Sequence, residues 1–551
     1  IHIEFENSGI GNIVEGNYVG TDYTGTVDLG NNYIGIVMYY SSSNTIRNNL
    51  VSGNRDGIYV YKGPEEFEAD SNIIIGNLVG TKANGIEPLG NQDAGIGIQG
   101  GRWNIVGGPD EGDRNIISGN STGIILGLPW GGNNLVQNNF IGTDKTGFSA
   151  LPNSDHGIYI FRGAKNNIIG GTEDYERNII SGNGMNGIYI SEDSTSDNHI
   201  IGNYIGTAAD GIQPIPNGQG VNIDNEDTEN YIGGSSGGTG NLIANSTGAG
   251  IGLGSYRNYV MGNEIKGNAT HGIFITGDTN TIGGPGEYQR NYIYGNSNGI
   301  SIFPGSSYNR IEGNYLGTDR NGFDDMTDGW DGIGIGGSYN EIINNLIGGY
   351  THQGILLMRW DSEEEPNPNP VPQGNLVEDN WLGLDAEGTG YIPNGHGISL
   401  NSSTDNRLIR NTIAGNNFDG IFIGLDLSVI SVNNLISENS IYGNGDLGID
   451  LESAGFTEND DLDPDEGPNG LQNYPVLDSL SFSPGLVTAG GYLNSTPGTT
   501  FELQFFASKL GDHSNYGEGE TYLGTETVVT DAAGNAFFTS TFPIVSSAGQ
   551  V

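Results

Sequence analysis

Residues 186–207 read NGIYISEDSTSDNHIIGNYIGT and contain three short phrases, Gly-Ile-x-Ile followed by two copies of Asn-x-Ile. In the first phrase two aliphatic residues flank a variable one, so strand periodicity places both aliphatics inside and the middle residue outside. In the Asn-x-Ile phrases the variable residue faces solvent and the following aliphatic is buried. Each copy therefore predicts three short strands, and we expect each Asn at a corner, where left-handed backbone geometry is tolerated.

The three phrases recur in the same order along most of the chain. Gly-Ile-x-Ile occurs fifteen times with conservative swaps, and Ile1–Phe5 is a sixteenth, degenerate copy. Strands this short cannot pair as hairpins, so equivalent strands of successive copies pair in parallel, and parallel crossovers are right-handed. The sequence predicts an all-β fold, a right-handed parallel β-helix of about 16 coils with three strands per coil. At ~4.8 Å per coil it would form a rod roughly 75 Å long.

A second period, two coils long, overlies the first. The outward residues of the third strand, such as Leu78 and Phe140, are apolar, and a bare stripe of this kind would aggregate or bind a partner. We predict instead that loops fold back over the stripe, with Leu29, Leu89 and Leu151 against it. These loops open with Gly-Thr at alternate coils, at Thr21, Thr81, Thr143 and Thr207, and the phrase recurs at Thr318.

Composition excludes some classes of partner. The chain of 551 residues has 66 acidic and 19 basic residues, a net charge of −47. Nucleic acid is therefore an unsuitable partner, because neutralising phosphates requires Lys and Arg. Divalent cations fit better, although acidity can also serve solubility alone. There is no cysteine, and no apolar run reaches the length of a membrane span, so we expect no disulfide and no membrane insertion.

We predict three regions. The β-helix spans residues 1–456, an acidic Pro/Gly-rich junction spans 457–473, and an immunoglobulin-like β-sandwich spans 474–551. In the last region Phe501, Leu503 and Phe505 alternate with polar residues, and Asp531–Asn535 has the composition of a hairpin turn. We expect this sandwich to be incomplete at Val551 and further sequence to flank the chain.

The coils resemble the parallel β-helix repeats of the pectate-lyase-like superfamily. More closely, GNYVGTD from Gly16 and NIIGG from Asn167 look like repeats of large bacterial exported surface proteins. The segment DDLDPDEGPNGLQNYPVL, residues 460–477, is similar to the junction that such proteins place after the helix. The resemblance implies an extracellular or cell-surface protein of bacterial type. It leaves lyase, hydrolase, epimerase, adhesin and structural roles open, because fold does not determine function.

One cluster is a candidate for catalysis. Lyases of this fold use bound Ca²⁺ to acidify a uronate proton and Arg or Lys as the base. Arg359, beside Trp360 and with His352 and Asp361 nearby in sequence, is the cluster that we nominate. The alternative is a surface Arg that pairs with the acidic run at 363–365.

Two other sets of residues are candidate binding sites. Tyr159 and Tyr189 occupy the same outward position on adjacent coils, where they can stack on a sugar ring or simply on each other. In the junction, alternating carboxylates on a Gly/Pro-rich loop suit Ca²⁺, which accepts six to eight oxygen ligands; the alternative is a solvated acidic linker. The candidate calcium ligands are Asp460, Asp461, Asp463, Asp465 and Asn469.

The uniformity of the coils decides the functional prediction. An active site should interrupt the repeat, and no coil concentrates unusual polar residues. We predict an extracellular structural or adhesive surface protein, a rigid rod that displays loops and either binds polysaccharide or assembles with other copies into a layer or fibre. The alternative is a polysaccharide lyase or glycoside hydrolase that acts on acidic polysaccharide.

Overall fold

The computed structural model describes residues 1–4, 10–62, 68–192, 194–224, 228–326, 329–360, 369–424, 429–452, 455–509 and 517–543. The chain divides into two compact units, Ile1–Ser297 and Asn298–Val551. Regular structure in the described residues is nearly all β-strand, and it includes no helix that could span a membrane. The domain boundaries expected near residues 456 and 473 stay a prediction.

Residues 1–297 form ten coils of a right-handed parallel β-helix, as the repeat predicts. The three phrases give three parallel sheets, which we call sheets A, B and C in chain order. Equivalent residues pair between coils; in sheet A, for example, Ile188 lies between Ile158 and Val221. Three short 3-10 helices interrupt the connections, at Glu111–Asp113, Asp174–Glu176 and Glu287–Gln289.

The strands of sheet A in this unit are His2–Glu4, Ile34–Tyr39, Asp56–Tyr61, Ala94–Gln99, Thr122–Gly127, Ile158–Phe161, Asn186–Ser191, Gln219–Ile223, Ile251–Leu253 and His271–Ile275. Those of sheet B are Ile13–Glu15, Thr45–Arg47, Ile73–Ile75, Ile105–Val106, Leu135–Val136, Ile168–Gly170, His199–Ile201, Tyr231–Gly233, Tyr259–Met261 and Thr281–Gly283. Those of sheet C are Tyr18–Val19, Leu50–Val51, Leu78–Val79, Ile116–Ile117, Phe140–Ile141, Ile179–Ile180, Tyr204–Ile205, Leu242–Ala244, Glu264–Lys266 and Tyr292–Tyr294.

Residues 298–551 contain coils of the same kind. The strands of sheet A here are Asn298–Ile302, Asp331–Ile335, Gln353–Met358, His396–Asn401, Ile421–Ile423 and Ile449–Asp450. Those of sheet B are Arg310–Glu312, Glu341–Ile343, Leu376–Glu378, Arg407–Ile409 and Leu435–Ser437. Those of sheet C are Tyr315–Leu316, Leu346–Ile347, Trp381–Leu382, Thr412–Ala414 and Ser440–Tyr442. A 3-10 turn at Pro468–Leu471 follows the last coil.

Stacked aliphatic residues and stacked asparagines form the interior. Ile188 and Ile190 are fully buried, and Tyr189 between them is half-buried on the outer face. At the corners, buried Asn side chains form ladders; the Asn77 Nδ2 donates to Asn115 Oδ1 at 3.0 Å and to the Ile46 carbonyl at 3.0 Å. Because each buried amide is hydrogen-bonded, its desolvation is compensated.

The ladders differ from the expectation in two ways. The left-handed residue is the one before the ladder Asn, for example Ser71 before Asn72, so the Asn itself keeps ordinary backbone geometry and directs its amide inward. A third ladder lies at the corner before sheet A, where Asn91 Nδ2 donates to Asn120 Oδ1 at 2.8 Å. Sequence inspection missed it because long loops place some of its members far from the preceding strand.

Loops on alternate coils cover the outer face of sheet C, including the coils between them that carry no Gly-Thr loop. Ile116, Phe140 and Ile179 are 5%, 5% and 3% exposed and form an apolar cluster with which Ala209 packs. The loops cover it with glycine as well as with apolar side chains: Gly147 has φ +73°, and a Cβ there would lie 2.8 Å from the Phe140 ring. The loops also bond to each other across two coils, since the Ala209 N–H donates to the Gly147 carbonyl at 3.0 Å.

The apolar residues of the loops differ in how far they are buried. Leu151 is 6% exposed, Leu89 is half-buried, and Leu29 in the first loop is 65% exposed. Leu89 bonds through its carbonyl to the Gly53 N–H, at the corner that follows the preceding sheet-C strand, Leu50–Val51. Cover of the stripe is therefore confirmed, whereas the expectation that a leucine in each loop provides it is wrong for Leu29.

The C-terminal region is a small sandwich of two antiparallel sheets. Val476–Ser483, Leu486–Asn494 and Asn535–Pro543 form one sheet, and Thr500–Ala507 and Thr521–Val529 form the other. Its core joins both sheets, with Leu493 and Phe538 from the first and Leu503 and Val528 from the second. The turn at Asp531–Asn535 is present, but the strands that it connects belong to different sheets, so it is not a hairpin within one sheet.

The junction and the sandwich cap the last coil. Asn434 ends one Asn ladder, and its N–H donates to Asn469 Oδ1 at 2.9 Å. Asn444 ends another, and its Nδ2 donates to Glu518 Oε1 at 2.9 Å. Side-chain oxygens from outside the coils thus satisfy the last donors of two ladders, as side chains cap the ends of α-helices.

Candidate functional site

The outer face of sheet A in residues 1–297 carries the predicted tyrosine pair. Tyr159 and Tyr189 are register partners on adjacent strands, and their rings stack with centroids 5.2 Å apart at 17°. His156 stacks on Tyr189 at 4.7 Å. The structure therefore shows the alternative in which the rings stack on each other, which leaves their edges and hydroxyl groups rather than an open face for a ligand. Sugar binding at this pair stays a prediction.

Polar groups on the same strands surround the pair. The Tyr159 hydroxyl lies 3.0 Å from Ser191 Oγ and 3.4 Å from Glu192 Oε1. On the next strand, Asn222 Nδ2 donates to Asp224 Oδ2 at 2.9 Å. Sequence analysis missed these groups, although their outward positions on the repeat were a signal that could have found them.

Two buried oxygens in this region have no hydrogen-bond partner among the described residues. They are Asn222 Oδ1 and Gln219 Oε1, on the sheet-A strand that follows the one bearing Tyr189. Asn222 is 9% exposed, and its Oδ1 lies where a Cβ of Gly252 would come within 2.3 Å, so the absence of a side chain at Gly252 makes room for it. A buried acceptor without a donor is costly, and a ligand hydroxyl is one group that can supply the donor.

The rings in this region are uncharged at neutral pH. Burial raises the pKa of the Tyr159 and Tyr189 hydroxyls, so both keep their protons. Burial lowers the pKa of His156 and favours its neutral imidazole. The charges of the region are then the Glu192, Asp224 and Asp155 carboxylates and the Arg162 guanidinium, whose Nε lies 3.1 Å from Glu192 Oε2. The region suits a hydroxyl-rich ligand without negative charge.

The candidate catalytic cluster is not assembled by the described residues. His352 and Arg359 lie just outside opposite ends of the strand Gln353–Met358. Seven residues of extended chain separate their Cα atoms by about 23 Å, so these two side chains cannot act on one substrate bond. Asp361 lies outside the described residues.

The surroundings of these two residues are those of packed side chains. Arg359 is 9% exposed, and the neighbouring Trp360 packs on Phe303 with ring centroids 5.2 Å apart. His352 packs on Trp330 at 4.6 Å. The pairing of Arg359 with the acidic run at 363–365 falls outside the described residues.

The junction brings three of the five candidate calcium ligands together. Asp460, Asp463 and Asp465 each place a carboxylate oxygen within 4.8 Å of the other two. Consecutive left-handed residues, Leu462 and Asp463, turn the chain so that alternate carboxylates converge. Burial, followed by the charges of Asp460 and Asp463, raises the pKa of Asp465, as expected for carboxylates that repel one another.

The cluster is partly satisfied by protein groups. Asp463 accepts hydrogen bonds from the Asn473 N–H and from the Ser495 hydroxyl, whereas Asp460 Oδ1 and Asp465 Oδ1 are buried without a partner among the described residues. Asp461 is exposed and outside the group. The amide of Asn469 bonds to Asn434 as the ladder cap, so we leave it out of the candidate set.

Comparisons with known proteins give only distant structural similarities. No family model matches the chain. The tailspike protein of E. coli bacteriophage HK620, solved as a mutant in complex with a pentasaccharide, is 11% identical over 97% of this chain and 84% of its own, with a TM-score of 0.40. The Dettilon tailspike protein is 13% identical over 92% of this chain and 94% of its own, with a TM-score of 0.36. PfbA, a surface adhesin of Streptococcus pneumoniae, is 13% identical over 79% and 86%, with a TM-score of 0.28.

Proposed function

We propose that this chain is an extracellular or cell-surface adhesive protein of bacterial type whose sheet A binds a glycan. The observation that carries the proposal is the region around Tyr159 and Tyr189, with the unpartnered oxygens of Asn222 and Gln219 beside it. Sugars offer both of the groups that this region requires, hydroxyl donors for the buried oxygens and C–H faces for the aromatic edges. Aromatic residues combined with a few placed polar groups are typical of ligand sites.

The charge of the region favours a neutral glycan over an acidic one. Glu192 and Asp224 flank the tyrosines, and the chain as a whole carries a net charge of −47. A uronate-rich chain would bring like charges together at short distance, which opposes binding unless cations intervene. We therefore propose a glycan of neutral or amino sugars as the ligand class.

Binding of the full chain to an array of neutral and uronate-containing oligosaccharides tests this proposal. We expect binding to neutral members, and we expect Tyr189→Ala and Asn222→Ala each to weaken it about tenfold or more. The matched control is Phe422→Ala, which removes an aromatic residue from the equivalent outward position of sheet A in residues 298–551. Equal loss with the control, or no binding by the unmodified chain, would contradict the proposal.

The alternative, a polysaccharide lyase or glycoside hydrolase, is tested by turnover. The separation of His352 from Arg359 removes the cluster that favoured it. The full chain is incubated with uronate-containing polysaccharides, and unsaturated products are followed by their absorbance. Robust turnover would replace the adhesive proposal with an enzymatic one.

We also propose that Asp460, Asp463 and Asp465 bind Ca²⁺ at the junction. Support comes from the convergence of three carboxylates and from two buried oxygens without a protein partner. Calorimetry of the full chain with Ca²⁺ should show one site that Asp460→Asn with Asp465→Asn abolishes. Asp461→Asn, a change of the same charge at an exposed neighbour outside the group, should leave the binding heat unchanged. Equal heats for all three chains would contradict the proposal.

A further inference from the structure

The outer face of sheet B in residues 1–297 carries a straight column of side chains, one from each strand. Each member is a register partner of the next, for example Ile105 with Leu135 and Tyr231 with Tyr259. His199, Tyr231 and Tyr259 form a continuous ring stack with centroid spacings of 4.6 and 4.9 Å. We call this set the sheet-B column: Ile13, Thr45, Ile73, Ile105, Leu135, Ile168, His199, Tyr231, Tyr259 and Thr281.

The column is accessible along its length. Ile13 is 60% exposed, Ile168 is 39% exposed, and the other eight members are each partly exposed. For comparison, Phe140 and Ile179, which lie beneath loops on sheet C, are only 5% and 3% exposed. Among the described residues, nothing covers the sheet-B column as the loops cover sheet C.

The column is also free of charge, in a chain with 66 acidic residues. It has no Asp, Glu, Lys or Arg, and burial lowers the pKa of its single histidine, His199, so that the imidazole is neutral at neutral pH. The same position in residues 298–551 holds Arg310, Glu341 and Arg407. The position therefore accepts charge in one unit of the protein and excludes it in the other.

We propose that the sheet-B column is an interface that binds the same column of a second copy of this chain. A partner that contacts every member must repeat at the ~4.8 Å strand spacing, and the identical column of another copy has that repeat. Along the column itself, two copies meet without placing charges opposite each other. The proposal is independent of the glycan site, which lies on sheet A.

The dimensions of the column suit a stable dimer. Ten strands span about 43 Å, so a strip about 19 Å wide provides the ~800 Å² per partner of a stable interface. That width corresponds to the column and one side-chain row on each flank. The flanks add apolar area through Trp103, which is 53% exposed, and through the partly exposed Ile75 and Ile201. The same two rows also hold charged residues, namely Glu15, Arg47, Asp197, Glu229 and Arg257.

Charge predicts how the dimer responds to salt. Each copy carries −47, so the copies repel each other until counter-ions screen them. Association through an uncharged column should therefore strengthen as NaCl is raised. Association with a cationic molecule, or through opposite charges elsewhere on the chain, would weaken instead.

Sedimentation of the full chain over a range of protein and NaCl concentrations tests the proposal. We expect a reversible species of twice the 58.1 kDa chain mass that grows with salt. Ile105→Glu with Ile168→Glu should lower the association constant about tenfold or more. Leu376→Glu, at the same sheet-B position in residues 298–551, should leave it unchanged.

A second variant distinguishes loss of association from loss of folding. Ile168→Thr with Tyr231→Thr introduces the residue that the column already uses at Thr45 and Thr281, and it should weaken association while preserving the circular dichroism and melting temperature. A chain that stays monomeric at all salt concentrations would overturn the proposal. So would association that falls with salt, or that Leu376→Glu weakens as much as the column variants do.

Discussion

Two stretches of sheet C in residues 1–297 share a backbone but differ in what lies above them. Between Phe140–Ile141 and the next sheet-A strand, a long loop at residues 142–157 includes the glycine turn beneath which Phe140 is 5% exposed. Between Glu264–Lys266 and the next sheet-A strand there are only residues 267–270, and no loop returns over the strand. There the outward residues are polar: Lys266 Nζ lies 2.7 Å from Glu264 Oε1, and the Tyr294 hydroxyl donates to the same oxygen.

The difference shows that burial by a loop, rather than the backbone, determines whether an outward position holds an apolar or a polar side chain. Apolar residues stand where a loop removes them from water, and charged or hydroxyl residues stand where no loop does, as burial energetics require. The sheet-B column of residues 1–297 departs from this rule, because it is apolar and uncovered. That departure is why we assign it a partner.

The largest effect should follow removal of the covered ring. Phe140→Ala leaves a cavity beneath the loop and removes the ring against which Gly147 packs, so we expect a loss of about 3–5 kcal/mol in local stability. Hydrogen exchange should show it in the neighbouring coils and loops only, because a solenoid is stabilised by nearest-neighbour contacts. A uniform change along the chain would show that the coils are not energetically separate.

A side chain added to the covering turn should cost less. Gly147→Val places a branched side chain at φ +73° against the Phe140 ring, and we expect a loss of about 1–3 kcal/mol. Gly112→Ala is the control, because a Cβ there meets no atom within 4 Å and its backbone is unstrained. Thermal unfolding of the two variants should differ; similar melting temperatures would mean that the loop does not press on the sheet.

The uncovered stretch should tolerate substitution. Glu264→Ala removes a partly exposed ion pair with Lys266 and a hydrogen bond from Tyr294, and we expect a loss of no more than about 1 kcal/mol. The same thermal measurement checks it beside Phe140→Ala. A loss as large as that of Phe140→Ala would remove the distinction between the two stretches.

The smallest effect concerns the first loop and depends on pH. Hydrogen bonds from the Thr24 hydroxyl and from the Thr26 and Val27 N–H groups lower the pKa of Asp22 to about 2. A lowered carboxyl pKa stabilises the loop above the ordinary value of about 4, and the stabilisation is lost as the pH falls through about 2. Amide exchange at Thr26 and Val27, corrected for intrinsic rates, should accelerate across that range, and Asp22→Asn should remove the pH dependence. Protection that is constant from pH 4 to pH 2 would contradict this.

The sequence predicts the interior of this protein better than its surface. Ile188 and Ile190 are buried as strand periodicity requires, because a two-residue period leaves one choice of face. At the sheet-B corner the left-handed residue precedes the Asn, and this was not predictable because several residue types occupy that position, Ser71 and Trp103 among them. Leu29 is exposed although it matches Leu151 in its loop, since its position depends on contacts distant in sequence.

The candidate sites show the same contrast between features that the repeat determines and features that it does not. The stacking of Tyr159 on Tyr189 follows directly from the repeat, because adjacent coils align equivalent residues. Grouping His352 with Arg359 relied on nearness in sequence, and an extended strand separates residues that are near in sequence. The convergence of Asp460 with Asp465 depends on two left-handed residues, Leu462 and Asp463, that no repeat dictates.

The hydrogen bonds between loops determine how many coils such a chain can gain or lose at a time. Each Gly-Thr loop bonds to the loop two coils away, as the Lys145 N–H does to the Gly85 carbonyl at 2.9 Å, while the Asn ladders that precede sheets B and C link successive coils, as Asn72 is linked to Asn104. Loss or gain of one coil would preserve the ladders but set a looped coil where a loop-free coil belongs. Loss or gain of two coils restores both patterns. We therefore expect insertion or removal of coils to preserve the packing over sheet C only in steps of two coils.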